Sequence, residues 1–146
     1  MKLFETEKHD TLRKFYTQNG LEVSQSLDDD GAVFSIFYRH LGKTIGAATL
    51  SKRSDIFVLD YVAVDGSHRR EGLGSKLVEA ALKKARLFGA EEVYISTKKP
   101  SFFKSFGFFA AEPDGIDLNA DCKGCPQLGT SCSPKIMKYI FNGDSI

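Results

Sequence analysis

The chain has 146 residues, 42% of them hydrophobic, with 20 basic against 19 acidic side chains and a formal charge of +1. That length fits one core and is short for two, and the near balance of charge gives no reason to expect nucleic acid or another bulk polyanion as partner. No apolar run approaches a membrane span and Met1-Lys2-Leu3-Phe4-Glu5 turns charged too early for a secretory leader, so the expectation is one cytoplasmic domain over residues 1–146. In chain order, Lys8 to Gln18 reads as a helix with Leu12, Phe15 and Tyr16 on one side and Asn19-Gly20 as its stop. Leu21 to Ser26 reads as a short strand and Asp28-Asp29-Asp30-Gly31 as a turn or loop. Ala32 to Arg39 and Thr44 to Leu50 are β-rich and joined through Leu41-Gly42-Lys43 in the manner of a hairpin, with Ser51 to Asp55 a polar connection. Ile56 to Val64 is almost wholly apolar, as a strand covered on both faces should be, and is predicted to be the central strand.

A helix is predicted from Glu71 to Phe88, with Leu73, Leu77, Ala81, Ala85 and Phe88 along one stripe, Lys76, Glu79, Lys83 and Arg86 toward water, and Gly89 as its stop. Glu92 to Thr97 follows as a strand, Pro100 to Phe106 as a short helix opened by proline, and Gly107 to Ala111 as a further strand. Strand, helix, strand implies a parallel crossover. The compositional break is a cysteine-bearing C-terminal segment, residues 112–135.

Between the central strand and the long helix lies Val62-Ala63-Val64-Asp65-Gly66-Ser67-His68-Arg69-Arg70-Glu71-Gly72-Leu73-Gly74-Ser75. A basic, glycine-spaced turn that opens a helix offers an anion two guanidinium groups, unpaired backbone N–H groups and the positive end of the helix dipole together. The nucleoside-triphosphate loop does not fit, because no lysine follows a glycine at its spacing. The dinucleotide fingerprint fails as well, since Leu77 stands where a third glycine is required. What remains is Arg69-x-x-Gly72-x-Gly74. His68, beside the arginines, and Lys98-Lys99 are lesser candidates for anion contact; loop histidines and lysine tips are more often solvated.

That spacing resembles the signature Gln/Arg-x-x-Gly-x-Gly/Ala of the GCN5-related N-acetyltransferases. The preceding Leu59-Asp60-Tyr61-Val62-Ala63-Val64, the following helix and the later Phe102-Phe103-x-x-x-Gly107-Phe108 extend the match over about residues 30 to 110. The resemblance implies a mixed α/β (α+β) fold, with a mostly antiparallel central sheet flanked by helices, that binds acetyl-CoA as cosubstrate. It implies that Arg69, Arg70, Glu71, Gly72, Leu73, Gly74 and Ser75 hold the pyrophosphate and that the backbone of Val62, Ala63 and Val64 lines the pantetheine arm. The activity implied is direct acetyl transfer to a primary amine of a small molecule in a ternary complex, without an acyl-enzyme. Where the family often carries a tyrosine that protonates the departing thiolate, this chain has Phe103, which has no proton to give. Ser101, Ser105, Tyr61, Tyr94 and water remain as donors, unless the thiolate leaves unassisted.

Asp60 breaks the apolar pattern of the central strand on a face expected to carry Ile56, Val58, Val62 and Val64 as well. A carboxylate at a shielded strand position is a candidate general base for an amine; the alternative is a structural pairing with a neighbouring arginine. All three cysteines fall in Cys122-x-x-Cys125-Pro126 and Cys132. In a reducing compartment that clustering suits zinc, with a fourth ligand still to be found, as well as it suits three reduced thiols. Through Cys122, Cys125, Pro126, Cys132 and Met137 the tail resembles short N-acetylglutamate synthase-like acetyltransferases, which implies an amino-acid acceptor. Two rival readings stand beside the enzyme: a non-catalytic acyl-CoA-binding sensor, and a metal or thiol redox protein using the cysteines. A homodimer is left open.

Overall fold

The computed structural model describes residues 2–111 and 135–141, with the backbone alone for Arg69, Arg70 and Glu71. Seven strands form one sheet in the order β1-β2-β3-β4-β5-β7-β6. They are β1 Lys2–Thr6, β2 Ala32–His40, β3 Lys43–Arg53, β4 Ile56–Val64, β5 Glu92–Thr97, β6 Phe109–Ala110 and β7 Lys135–Ile140. All neighbours pair antiparallel except β4 and β5, which are parallel because α2, Leu73–Leu87, crosses over between them. Among the described residues there are two shorter α-helices, α1 Arg13–Gln18 and α3 Pro100–Lys104. The mostly antiparallel sheet flanked by helices is therefore present as expected.

Two-residue turns explain the long meander β2-β3-β4. Leu41 and Gly42, at φ 51° and 77°, close the first hairpin, and Ser54 and Asp55, at 50° and 67°, close the second. Positive φ at both central positions matches the twist of the strands that such turns join. The second turn corrects the polar connection expected over Ser51 to Asp55, since Ser51 to Arg53 continue β3. A polar run was misread there because its alternate residues face a partly covered surface.

The sheet has two covered faces. On one, α2 seats Leu77, Val78, Ala81 and Ala85 against Phe34, Ile36, Ala48, Leu50, Phe57 and Leu59, all buried. Each fully buried leucine of this kind contributes about 1.5–3 kcal/mol. The approach is close: a Cβ on Gly46 of β3 would stand 3.1 Å from Leu77 Cδ1. Phe88, expected on the buried stripe, lies just past α2 and is 49% exposed, stacked on Phe34 at 5.7 Å. On the other face Leu12 and Tyr16 pack with Leu27, Ala47, Tyr61 and Ala63. The expected first helix is split, a 3-10 turn over His9–Leu12 leading into α1, and residues 21–26, expected as a strand, are irregular. Their backbone is held instead by side chains: Arg13 Nε donates to the Ser24 carbonyl at 2.9 Å. Strands β1 and β7 were not foreseen. Met137, quoted above for the tail, is a β7 core residue, 2% exposed and paired with Ile95.

No described helix is long and apolar enough to cross a membrane.

Candidate active site

The parallel ladder between β4 and β5 consists of Phe57↔Val93 and Val58↔Tyr94. Beyond Val58, β4 stays laddered to β3 as far as Val64↔Gly46, whereas β5 stays laddered to β7 as far as Thr97↔Lys135. Leu59–Val64 and Ile95–Thr97 share no ladder pair, so the sheet opens between its two central strands. An edge of that kind accepts an extended, amide-bearing chain.

The opening starts at a β-bulge. Thr49 pairs with Tyr61 while Leu50 pairs with Leu59, so Asp60 is the extra residue of β4. A bulge shifts the strand's alternation by one. Phe57 and Leu59 face α2, and past the bulge so do Val62 and Val64, while Val58, Tyr61 and Ala63 face the α1 side. The expectation that Asp60 shares a face with Ile56, Val58, Val62 and Val64 is corrected accordingly: the first two lie across the sheet from the last two. Asp60 itself is on the α1 side, where its charge helps to raise the Tyr16 and Tyr61 pKa values after the larger effect of burial.

Both carboxylate oxygens of Asp60 are engaged. Arg53 Nη1 donates to Oδ2 at 2.8 Å and Nη2 to Oδ1 at 2.9 Å, and Nη1 also donates to the Asp30 carbonyl at 3.1 Å. The Asp60 hydrogen bond is the main cause that raises the Arg53 pKa above its ordinary value, against the opposing effect of burial. The side chains are 33% exposed for Arg53 and 14% for Asp60, so the pair is partly shielded yet reachable. Sequence reasoning singled out Asp60 but not Arg53, because the partner lies across a hairpin.

Beyond Asp60 the strand runs into the glycine turn. A 3-10 turn over Gly66–Glu71 ends at Gly72, whose φ of +77° restarts the chain as α2 at Leu73, later than the predicted Glu71. An added Cβ on Gly72 would meet nothing within 4 Å, so glycine is there for its backbone conformation alone. Among the described side chains none caps the N-terminus of α2, which leaves its first-turn N–H groups to the loop side. Leu73 is fully buried in the core and so offers a ligand only backbone; Ser75 is half-buried. A Cβ on Gly74 would stand 3.4 Å from Phe102 of α3 and 3.9 Å from Val64 Cγ2, which sets the end of β4, the start of α2 and α3 side by side. Upstream, the Ser67 hydroxyl donates to Asp65 and holds its carboxyl below the usual carboxylate range, and His68 lies edge-on to His40 at 6.1 Å. Lys98 and Lys99 are exposed, with Lys99 at the start of α3.

Phe103 is 8% exposed within the core, edge-on to Phe102 and Phe108. The hydroxyl candidates lie elsewhere: Tyr61 accepts the Ser24 amide at 3.4 Å, and Tyr94 donates to Glu92 at 3.3 Å. Burial pushes the Tyr61 pKa up, so it keeps its proton at neutral pH. Cys122, Cys125 and Cys132 lie outside the described residues. Among the described residues no group of three or more His, Cys, Asp or Glu side chains could hold a metal ion.

A buried polar chain without any signal in the residue pattern backs the α1 side. His9 Nδ1 bonds to Ser35 Oγ at 2.8 Å, Ser35 Oγ to Thr49 Oγ1 at 2.8 Å and Thr49 Oγ1 to the Tyr16 hydroxyl at 2.7 Å. The Tyr16 ring then stacks on Tyr61 at 4.9 Å.

The family model described as Acetyltransferase (GNAT) family matches residues 2–109. No curated protein sequence matches the chain. Among solved structures, Rv2747 from Mycobacterium tuberculosis in complex with CoA and NLQ superposes with a TM-score of 0.73 at 17% identity, covering 97% of this chain and 100% of that one. The ribosomal-protein-S18-alanine N-acetyltransferase of Escherichia coli gives 0.67 at 18%, covering 99% and 97%. N-acetylglutamate synthase from Neisseria gonorrhoeae, complexed with coenzyme A and N-acetyl-glutamate, gives 0.69 at 17%, with 97% of this chain matching 36% of that longer one.

Proposed function

The chain belongs to the acetyltransferase (GNAT) family, and we propose that it transfers acetyl from acetyl-CoA to the primary amine of a small molecule, an amino acid foremost, by direct attack in a ternary complex. The observation that supports this reading best is proximity: the unladdered edge of β4 ends beside the N-terminus of α2, where a Cβ on Gly74 would stand 3.9 Å from Val64 Cγ2. A thioester-bearing arm laid along Leu59–Val64 would carry its diphosphate to the first turn of that helix, where Gly72, Gly74 and Ser75 present backbone. Arg69 and Arg70 are assigned to the same diphosphate, with Glu71 and Leu73 contributing main chain.

Acetyl-CoA supplies an activated acyl group and a thiol leaving group. The backbone of Val62 and Ala63 is assigned to polarise the thioester carbonyl, as preorganised donors do for developing oxyanion charge. Asp60 is assigned as the base. Each Asp60 oxygen keeps a lone pair beyond the one that Arg53 uses, so Arg53 holds the carboxylate in place while it takes the proton. The balance is simple: an ammonium acceptor passes a proton to Asp60, its nitrogen bonds to the acetyl carbon, the C–S bond breaks, and the second amine proton leaves with the thiol. Tyr61, protonated and on the α1 side of β4 with Asp60, is the hydroxyl proposed to deliver that second proton in place of a residue at Phe103.

The test is incubation of the full chain with acetyl-CoA and a panel of free amino acids, polyamines and peptide N-termini, read by free thiol and product mass. Acetylated product at a rate that requires Asp60 is the expected result. Tight acetyl-CoA binding with no transfer to any amine would favour the sensor reading instead.

A further inference from the structure

We infer that Arg53 and Asp60 together select a zwitterionic acceptor, an amino acid whose nitrogen meets Asp60 and whose carboxylate meets the remaining N–H groups of Arg53; this rests on the acetyltransferase reading above. A guanidinium carries five N–H donors in a fixed fork. Three of those of Arg53 are used, two on Asp60 and one on the Asp30 carbonyl. Nε–H and the second Nη2–H have no partner among the described residues.

A second observation falls on the same face. Along β3, Ala47, Thr49, Ser51 and Arg53 alternate onto the α1 side, opposite Ala63, Tyr61, Val58 and Ile56 of β4. Ser51 is 1% exposed, and its hydroxyl has no hydrogen-bond partner among the described residues. An orphaned buried hydroxyl costs about 1–3 kcal/mol and needs a reason. Ser51 lies between Thr49, which the buried chain satisfies, and Arg53, whose spare donors also stand unanswered. Unused donors thus lie along one face of β3, on the side of the sheet where Arg53 holds Asp60.

The chemistry of the acceptor follows from that set. A simple amine would satisfy Asp60 and leave the spare donors of Arg53 as they are. A polyamine would bring a second cation toward Arg53. A peptide N-terminus lacks the adjacent carboxylate. A free amino acid places an anionic carboxylate two bonds from the nitrogen, which answers the guanidinium fork and the carboxylate together, and arginine recognises carboxylates with a geometry lysine does not share.

The full chain at saturating acetyl-CoA is assayed with matched sets of L-amino acids, their α-carboxamides and their decarboxylated amines. The wild type should favour the free acids by about 100-fold in kcat/KM, the worth of charge-assisted hydrogen bonds at a shielded site. Arg53→Gln should collapse that ratio toward unity, and Arg53→Lys should fall between. Equal use of acids, amides and amines by the wild type would overturn the inference while leaving the acetyltransferase reading intact, and this comparison needs no variant to fold. A folded Arg53→Gln protein that keeps the preference for acids would overturn it too. Absence of transfer to every acceptor would overturn both readings.

Discussion

Replacing Thr49 by valine removes one hydroxyl at nearly constant volume, and the buried chain gives the cost. Thr49 Oγ1 links Ser35 at 2.8 Å to Tyr16 at 2.7 Å, and all three residues are fully buried. After the substitution Ser35 keeps its bond to His9, but the Tyr16 hydroxyl loses its hydrogen-bond partner in a site water does not reach. An orphaned buried hydroxyl costs about 1–3 kcal/mol, so we expect a loss of about 2 kcal/mol, equivalent to a fall in Tm of about 6–8 °C for a domain of this size. Tyr16→Phe alone leaves Thr49 bonded to Ser35 and should cost about 1 kcal/mol. In the double variant no hydroxyl is orphaned at that position, so its cost should be less than the sum of the two by about 1 kcal/mol. Urea unfolding of the four proteins at pH 7, followed by circular dichroism, gives the cycle. Additive single effects, or a Thr49→Val cost below about 0.5 kcal/mol, would refute the reasoning from orphaned hydroxyls.

Gly72→Ala puts a side chain at φ +77° with open space around it, so the cost is backbone strain alone, about 1–2 kcal/mol, and acetyl-CoA affinity should fall as the loop relaxes; an unchanged urea midpoint would contradict this. Asp60→Asn should lower kcat by about 100-fold or more and change the shape of the pH–rate profile, and a variant that keeps the wild-type profile removes Asp60 as base. Burial raises the Tyr16 pKa far above its ordinary 10.0. The folded state therefore holds the proton more tightly than the unfolded state, and this contribution to stability is whole below pH 10 and is lost as pH rises beyond it. The wild type should lose stability above pH 10 more steeply than Tyr16→Phe in urea titrations, and parallel curves would count against it.

Much of the fold could be read along the chain because its long elements state their period. The apolar run Ile56 to Val64, the strand Glu92–Thr97 and the core stripe of α2 all stand where their patterns put them. That same apolar run hid the bulge: when both faces are covered, a one-residue slip in alternation leaves no mark in hydrophobicity. Strand β1 was missed because Lys2 to Glu5 are all exposed on an edge, and nothing in so short a segment separates inward from outward positions. The glycine turn was legible since Gly72 needs its positive φ, while the start of α2 moved to Leu73 for the same reason. Arg53 and the chain from His9 to Tyr16 could not be found this way. Their partners lie 7 to 33 residues apart, and only strand register brings them together.

The central claim is that the nucleotide diphosphate docks at the start of α2 while the thioester arm follows the open edge of β4. Isothermal calorimetry of acetyl-CoA against S-acetylpantetheine, which has the arm without the nucleotide diphosphate, separates the two parts. Acetyl-CoA should bind about 100-fold more tightly, with an affinity that weakens as salt rises. Equal affinities for the two compounds would contradict the account.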